Sequence, residues 1–184
     1  LTVPGYPQHV IQRGNNRQAL FFADADYVCY LELLQEGCIK HGCQLHSYVL
    51  MTNHVHLLVT PDTADGISQL MQYVGRRYVQ YVNLLYKRTG TLWEGRYKAV
   101  PVDSEAYLLV LYHYIEHNPV RALMCERAGD YPWSSYRVNA GLLVDGGSSS
   151  LHYAHHERDS LQPTSSDLKP SERLSLSLIQ PHGR

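Results

Sequence analysis

His54-Val55-His56 sets two imidazoles at alternate positions of a run, His54 to Thr60, that reads as a β-strand. Strand side chains alternate between faces, so both rings point to one side and Val55 to the other. Two nitrogens fixed on one strand can share a cation. Imidazole suits Zn, Mn, Fe, Co or Ni, whereas Mg usually prefers oxygen, so the pair alone does not choose the metal. A metal wants a third protein ligand, and Asn118 is the candidate, because its amide oxygen can coordinate a hard or borderline cation. Tyr114 stands four residues earlier, which puts phenol and amide one above the other on one helix face. A tyrosine hydroxyl, with a pKa of about 10, is a poor nucleophile at neutral pH, and a cation beside it both favours the phenolate and polarises a phosphate under attack. The plain alternative is a pair of surface histidines and one packed tyrosine among 15.

Other groups carry less chemistry. Between Gly66 and Val102, Arg76, Arg77, Lys87, Arg88, Arg96 and Lys98 are opposed by Glu94 alone, a stretch that can face phosphate or simply be a solvated surface. Trp93 and Tyr97, interleaved with those cations, suit stacking on unpaired bases, although Trp93 serves equally as a core anchor. His113 and His117 flank a helix end, where the dipole favours a cationic ring. Glu116 points about 200° away from Tyr114 on a helical wheel and reads as structural or as an ion-pair partner. His152, His155 and His156 cluster where no fixed geometry is expected.

The elements that must position these groups follow from periodicity. Val10 to Arg13 reads as a short strand closed by Gly14-Asn15-Asn16. Val28, Leu31, Leu34 and Cys38 mark a helix from Asp26 to about His41, with Asp24 as N-cap and Gly42 as stop. Gln44 to Met51 and His54 to Thr60 form a hairpin turned at Thr52-Asn53, ended by Pro61. Ile67, Leu70, Met71, Val74, Tyr78, Tyr81, Val82 and Leu85 lie on one face of a long helix. Arg96 to Val102 is a last strand. A third helix runs from Ser104, its N-cap, to His117, with Leu108, Leu111 and Ile115 toward the core and Asn118-Pro119 ending or kinking it.

The order β-α-β-β-α-β predicts an α+β, ferredoxin-like antiparallel sheet with two helices on one face. The additional C-terminal helix, which carries the tyrosine, must lie elsewhere. Residues 1–140 form the folded unit. From residue 141 a Gly/Ser/Pro-rich stretch without sustained periodicity predicts a mobile tail, in which Leu174, Leu176 and Leu178 alternate with serines.

Composition narrows the class. With 44% hydrophobic and 18% charged residues, the bulk is neither a disordered polyelectrolyte nor a membrane protein, and no apolar run approaches the roughly 20 residues of a bilayer span. Cys29, Cys38, Cys43 and Cys125 form no C-x-x-C pair, and nothing at the start reads as a signal peptide. The expected compartment is the cytoplasm, with reduced thiols.

Several segments in order carry a resemblance: Gly5-Tyr6 with His9-Val10-Ile11-Gln12-Arg13-Gly14-Asn15; Tyr48 to His56, ending in Thr52-Asn53-His54-Val55-His56; Leu92-Trp93-Glu94-Gly95-Arg96-Tyr97; Tyr114-Ile115-Glu116-His117-Asn118-Pro119-Val120-Arg121-Ala122; and Tyr131-Pro132-Trp133-Ser134-Ser135-Tyr136. Together, over residues 5 to 137, they resemble the REP-associated tyrosine transposases, a bacterial branch of the single-tyrosine HUH transposases. The resemblance implies metal-dependent cleavage and strand transfer at single-stranded or hairpin DNA. Tyr114 would be the nucleophile that forms a 5′-phosphotyrosine link, and His54, His56 and Asn118 the ligands of a divalent metal, Mg or Mn. By the same similarity Arg13, Arg17, Arg76, Arg77, Arg96, Lys98 and Arg121 are candidate DNA contacts, and a monomer is favoured over a dimer. The competing expectation is a catalytically silent DNA-hairpin-binding protein on the same fold. An RNA-recognition domain shares the element order but needs aromatic residues on its central strands.

Overall fold

The computed structural model describes residues 2–102 and 105–142. The predicted N-cap Ser104, the serine-rich stretch beyond residue 142 and its histidine cluster lie outside the described residues.

The sheet has the order β2-β3-β1-β4, all neighbours antiparallel: β1 Gln8–Arg13, β2 Cys43–Met51, β3 His54–Pro61 and β4 Lys98–Pro101. With α1 Asp24–Lys40 between β1 and β2 and α2 Gly66–Leu85 between β3 and β4, this is the ferredoxin-like arrangement. Neither central strand, β1 or β3, carries a Phe, Tyr or Trp, the residues that build the stacking platform of an RNA-recognition domain. Val10, Val55, Leu57 and Val59 are fully buried on the face covered by α1 and α2, packed with Leu34, Leu70, Val74 and Tyr78. The helix α3 Glu105–Glu116 packs instead against β2 and β3 from the other side, burying Leu111 and Ile115. His117 breaks the helix, and the chain resumes in α4 Asn118–Arg121 with Pro119 in its first turn, where a missing N–H costs nothing.

The start of α1 differs from the sequence expectation. Ala23, not Asp24, occupies the N-cap, and the cap is made from inside the helix: the Asp26 carboxyl accepts the backbone N–H groups of Phe22 (2.7 Å) and Ala23 (3.0 Å). It also accepts the hydroxyls of Tyr81 (2.9 Å) and Tyr86 (2.8 Å), which ties α1 to α2. An exposed Asp24 cannot compete with a buried carboxyl that satisfies four donors. At the other end Gly42 takes φ +58°, the left-handed residue that lets a helix stop.

The free edge of β2 is covered by the segment after α4. Leu50 N–H donates to Trp133 O (2.9 Å), Ser135 N–H donates to Tyr48 O (3.0 Å), and Tyr131 Oη donates to Leu50 O (2.6 Å). Covering an edge in this way blocks pairing with other chains. A comparable bridge joins Gly14 to Trp93, with Asn15 N–H donating to Leu92 O at 2.9 Å. Trp93 is buried and its Nε1 donates to Gly75 O (3.3 Å), so it is a core anchor and offers no stacking surface to a base. Cys38, Cys43 and Cys125 are free thiols. Burial pushes Cys38 up to about 12 and Cys43 up to about 11, which keeps both as inert thiols. Among the described residues no helix is long and apolar enough to cross a membrane.

Candidate active site

The register explains how the histidines come to share a face. In the β1–β3 pairing Ile11 faces His56 and Arg13 faces His54, so His9, Ile11 and Arg13 project on the same side as the two rings. Lys98 of β4 pairs with Ile11 and adds a cation there. That is the face across which α3 runs. Tyr114 meets the imidazoles edge-on, its ring centroid 5.8 Å from that of His56 and 6.1 Å from that of His9. His54 and His56 are 5.0 Å apart, centroid to centroid. The Arg121 guanidinium sits 4.9 Å from the centre of the Tyr114 ring. Tyrosine, histidine pair and Arg121 thus converge within one chain.

The strand end that carries Arg13 is fixed by a close approach. Gly14 N–H donates to Asn53 O (2.8 Å), and a Cβ on Gly14 would lie 2.3 Å from Gln18 O, so only glycine fits. This contact holds the Thr52-Asn53 turn, and with it the first residue of β3. The Asn53 amide then bridges, with Nδ2 donating to Arg17 O (3.2 Å) and Oδ1 lying 2.7 Å from His54 Nδ1. His56 Nδ1 lies 2.9 Å from His9 Nε2, the two rings stacked at 5.1 Å. One turn beyond Tyr114, Asn118 Nδ2 donates to Tyr114 O (3.1 Å), which leaves Oδ1 for another partner.

The tyrosine helix is held down by a buried carboxyl. Glu116, 7% exposed, accepts at Oε1 from Ser135 Oγ (2.7 Å), Asn139 Nδ2 (2.6 Å) and Ser47 Oγ (3.3 Å). Its partners are hydroxyls and an amide and come from β2 and from the segment around α5 Tyr136–Asn139, so the structural alternative holds and the ion pair does not. His113 and His117 stack on each other at 3.8 Å, with His117 Nδ1 donating to His113 O (3.0 Å), and Tyr136 packs edge-on against His117.

The expected DNA contacts divide by face. Arg13, Lys98 and Arg121 surround the histidine and tyrosine rings, and Arg17 lies in the turn next to Asn53. Arg96 leans on Tyr97 at 5.3 Å just before β4. Arg76 and Arg77 belong to α2, on the opposite layer, where Arg77 pairs with Glu36 (3.2 Å) and covers Tyr73 (4.6 Å). His9 and Asn53 were not singled out from the sequence. The signal was there: His9 continues the alternation of Ile11 and Arg13, but a strand begun at Val10 leaves it outside.

Burial pushes His56 down to about 3, helped by repulsion from His9, His54 and Arg13, and pushes His9 down to about 4; His54 is lowered by burial and by Arg13. All three rings are therefore neutral at pH 7, with lone pairs available. In the unfolded chain an imidazole takes its proton near pH 6.5. Between pH 6.5 and about 4 the unfolded state binds protons that the folded state refuses at His9 and His56, so stability falls as pH falls, these two rings each contributing a slope of about 1.4 kcal/mol per pH unit. Urea unfolding of the metal-free protein from pH 7 to 4.5 is expected to show this loss, and His9→Gln to make it shallower. Parallel curves for the two proteins would contradict the burial of His9.

A family model described as "Transposase IS200 like" matches residues 2–118. No curated protein matches the sequence. Among solved structures the chain is similar to a REP-associated tyrosine transposase bound to a REP hairpin, with TM-score 0.66 and 16% identity over 82% of this chain and 90% of that one, a likeness of fold. A candidate transposase from Deinococcus radiodurans matches with TM-score 0.44 and 26% identity over 62% of this chain and 92% of that one.

Proposed function

Since the chain belongs to the IS200-like transposase family, we propose that it cleaves single-stranded or hairpin repeat DNA and transfers the strand through a 5′-phosphotyrosine link made by Tyr114. The observation that carries this reading is the meeting of the Tyr114 ring with His56 and His9 inside one chain, which also favours action as a monomer. The hairpin as ligand class is supported by the REP hairpin bound to the similar solved structure.

His54, His56 and Asn118 would hold a divalent metal, Mg or Mn. The donor set fits. Both imidazoles are neutral with their Nδ1 atoms already engaged, and Asn118 turns its NH₂ to a carbonyl, so two Nε2 atoms and an amide oxygen remain. Among the described residues no group of three or more His, Cys, Asp or Glu side chains could hold a metal ion, so the amide and the oxygens of DNA would complete the shell. When bound, the metal supplies Lewis-acid polarisation of the scissile phosphate.

The chain's own residues supply the rest. Tyr114 Oη loses its proton to solvent and attacks the scissile phosphorus; the bond from phosphorus to the 3′ oxygen breaks, that oxygen takes up a proton, and the 5′ phosphate stays on the tyrosine. A 3′-hydroxyl can later attack the same phosphorus and release Tyr114. Arg121, beside the phenol, stabilises negative charge as it moves from phenolate to phosphate, while Arg13 and Lys98 neutralise the flanking backbone. Arg17 and Arg96 would extend that contact, and Arg76 and Arg77 would meet only DNA that reaches the far layer.

A labelled repeat hairpin incubated with the protein tests the reading. With Mn or Mg a protein–DNA adduct is expected, and EDTA should abolish it while leaving hairpin binding, which weakens with salt. A free 5′-phosphate product would identify a hydrolase, and binding without adduct under either metal would reduce the protein to a silent hairpin binder.

A further inference from the structure

The two rings of the histidine pair differ in burial, yet each is gripped at the same atom. His54 Nδ1 meets Asn53 Oδ1 at 2.7 Å, and His56 Nδ1 meets His9 Nε2 at 2.9 Å. An amide oxygen only accepts, so the hydrogen in the first contact belongs to His54 Nδ1, and the neutral ring carries its lone pair on Nε2. His56 is 2% exposed, so its Nδ1 has no access to bulk water, and His9 is the group that satisfies it. Neither partner is free to drift. His9 is fixed by the β1–β3 register as the diagonal neighbour of His56 on the same sheet face, and Asn53 is fixed by its own Nδ2 on Arg17 O and by its carbonyl on Gly14 N–H.

We infer that Asn53 and His9 are the positioning residues of the pair: each accepts a hydrogen bond from Nδ1–H of one ring, so that both rings are locked in the same tautomer and present unprotonated Nε2 atoms. This rests on the proposed metal reading only for its purpose. The tautomers are a property of the metal-free protein. Asn53 does for His54 what a carboxylate or carbonyl does behind many metal-bound imidazoles, and His9 does it for His56 with a ring nitrogen as acceptor. The arrangement gives the residues that immediately precede His54 and Val10 a task beyond closing a turn or extending a strand.

The test has two readouts on the full chain. Long-range ¹⁵N–¹H correlation spectra of the metal-free protein, in EDTA at pH 7.5, are expected to show His54 and His56 both as Nδ1–H tautomers. His9→Leu should shift His56 alone toward the Nε2–H form and Asn53→Ala should shift His54 alone, whereas His9→Gln and Asn53→Asp, which retain an acceptor, should restore the wild-type pattern. Mn²⁺ titration should show binding weakened about 10- to 100-fold in His9→Leu and Asn53→Ala and recovered in the conservative pair. An Nε2–H tautomer for either ring in the wild type overturns the inference, as do unchanged spectra in both truncations. Should the wild type bind no Mn²⁺, the metal reading fails and the tautomers still decide the positioning claim; should a truncated variant fail to fold, the wild-type spectrum and the conservative variant decide it.

Discussion

Tyr114→Phe is expected to form no covalent adduct with a repeat hairpin under Mn or Mg, while binding that hairpin as tightly as the wild type and unfolding at the same urea concentration. The substitution removes one oxygen. A phenylalanine ring keeps the edge-on contacts with His56 and His9 and remains a surface for the Arg121 guanidinium. Among the described residues no hydrogen bond that holds α3 in place uses the phenol; that task falls to Glu116, whose carboxyl lies on another side of the helix. The loss is therefore one of nucleophile alone, and it should be complete, because among the described residues no other tyrosine meets the His56 and His9 rings. Tyr112→Phe is the control: two residues earlier, its ring points about 200° away from that of Tyr114. A denaturing gel with end-labelled DNA reads both. Adduct from Tyr114→Phe, or its loss from Tyr112→Phe, would reassign the nucleophile.

The sequence made some of this geometry visible and hid the rest for physical reasons. Alternation along β3 was enough to put His54 and His56 on one face, because period two is set by the strand itself. The spacing from Tyr114 to Asn118 spans the last turn of α3 and the start of α4, and it survives the break at His117 because α4 resumes at once. What stayed hidden depends on partners far along the chain. Asp26 outcompetes Asp24 for the cap through Tyr81 and Tyr86, more than fifty residues away. Trp93 lies among cations in the sequence, yet it points to Gly75 of α2 instead of outward. A run of basic residues gives charge without direction: Lys98 joins the histidine face by its register in β4, whereas Arg76 and Arg77 go with α2 to the far layer. His9 needed the β1–β3 register, which no local pattern contains.

Glu116→Ala is expected to slow adduct formation about 100-fold and to destabilise the fold by about 3 kcal/mol, with hairpin affinity nearly unchanged. The carboxyl is the meeting point of three chain segments: Ser47 of β2, Ser135 beside the β2 edge, and Asn139 of α5 all donate to one oxygen. Ser135 O–H is fixed further by the Tyr48 N–H that donates to its oxygen at 3.0 Å, so the network is continuous with the backbone of the sheet. Alanine removes the carboxylate acceptor from the buried Ser47 and Ser135 hydroxyls, while Asn139, at the surface, keeps His46 O as a partner; a buried donor left without its acceptor costs about 1–3 kcal/mol before the surroundings relax. The catalytic consequence follows from place. Glu116 is the last residue of α3, two after Tyr114, and beyond it His117 leaves the helix, so Glu116 and the buried Ile115 are what seat that turn on the sheet. A phenol that drifts by about 1 Å from in-line attack loses on the order of 100-fold in rate, while the phosphate contacts proposed for Arg13 and Lys98, which stand on the sheet, would be untouched. Glu116→Gln retains an oxygen at the same reach and should recover most of the stability and rate. Single-turnover adduct formation alongside urea unfolding separates the cases: if Glu116→Ala loses stability but forms adduct at the wild-type rate, α3 is seated by Leu111 and Ile115 alone, and the buried carboxyl serves the fold without serving the tyrosine.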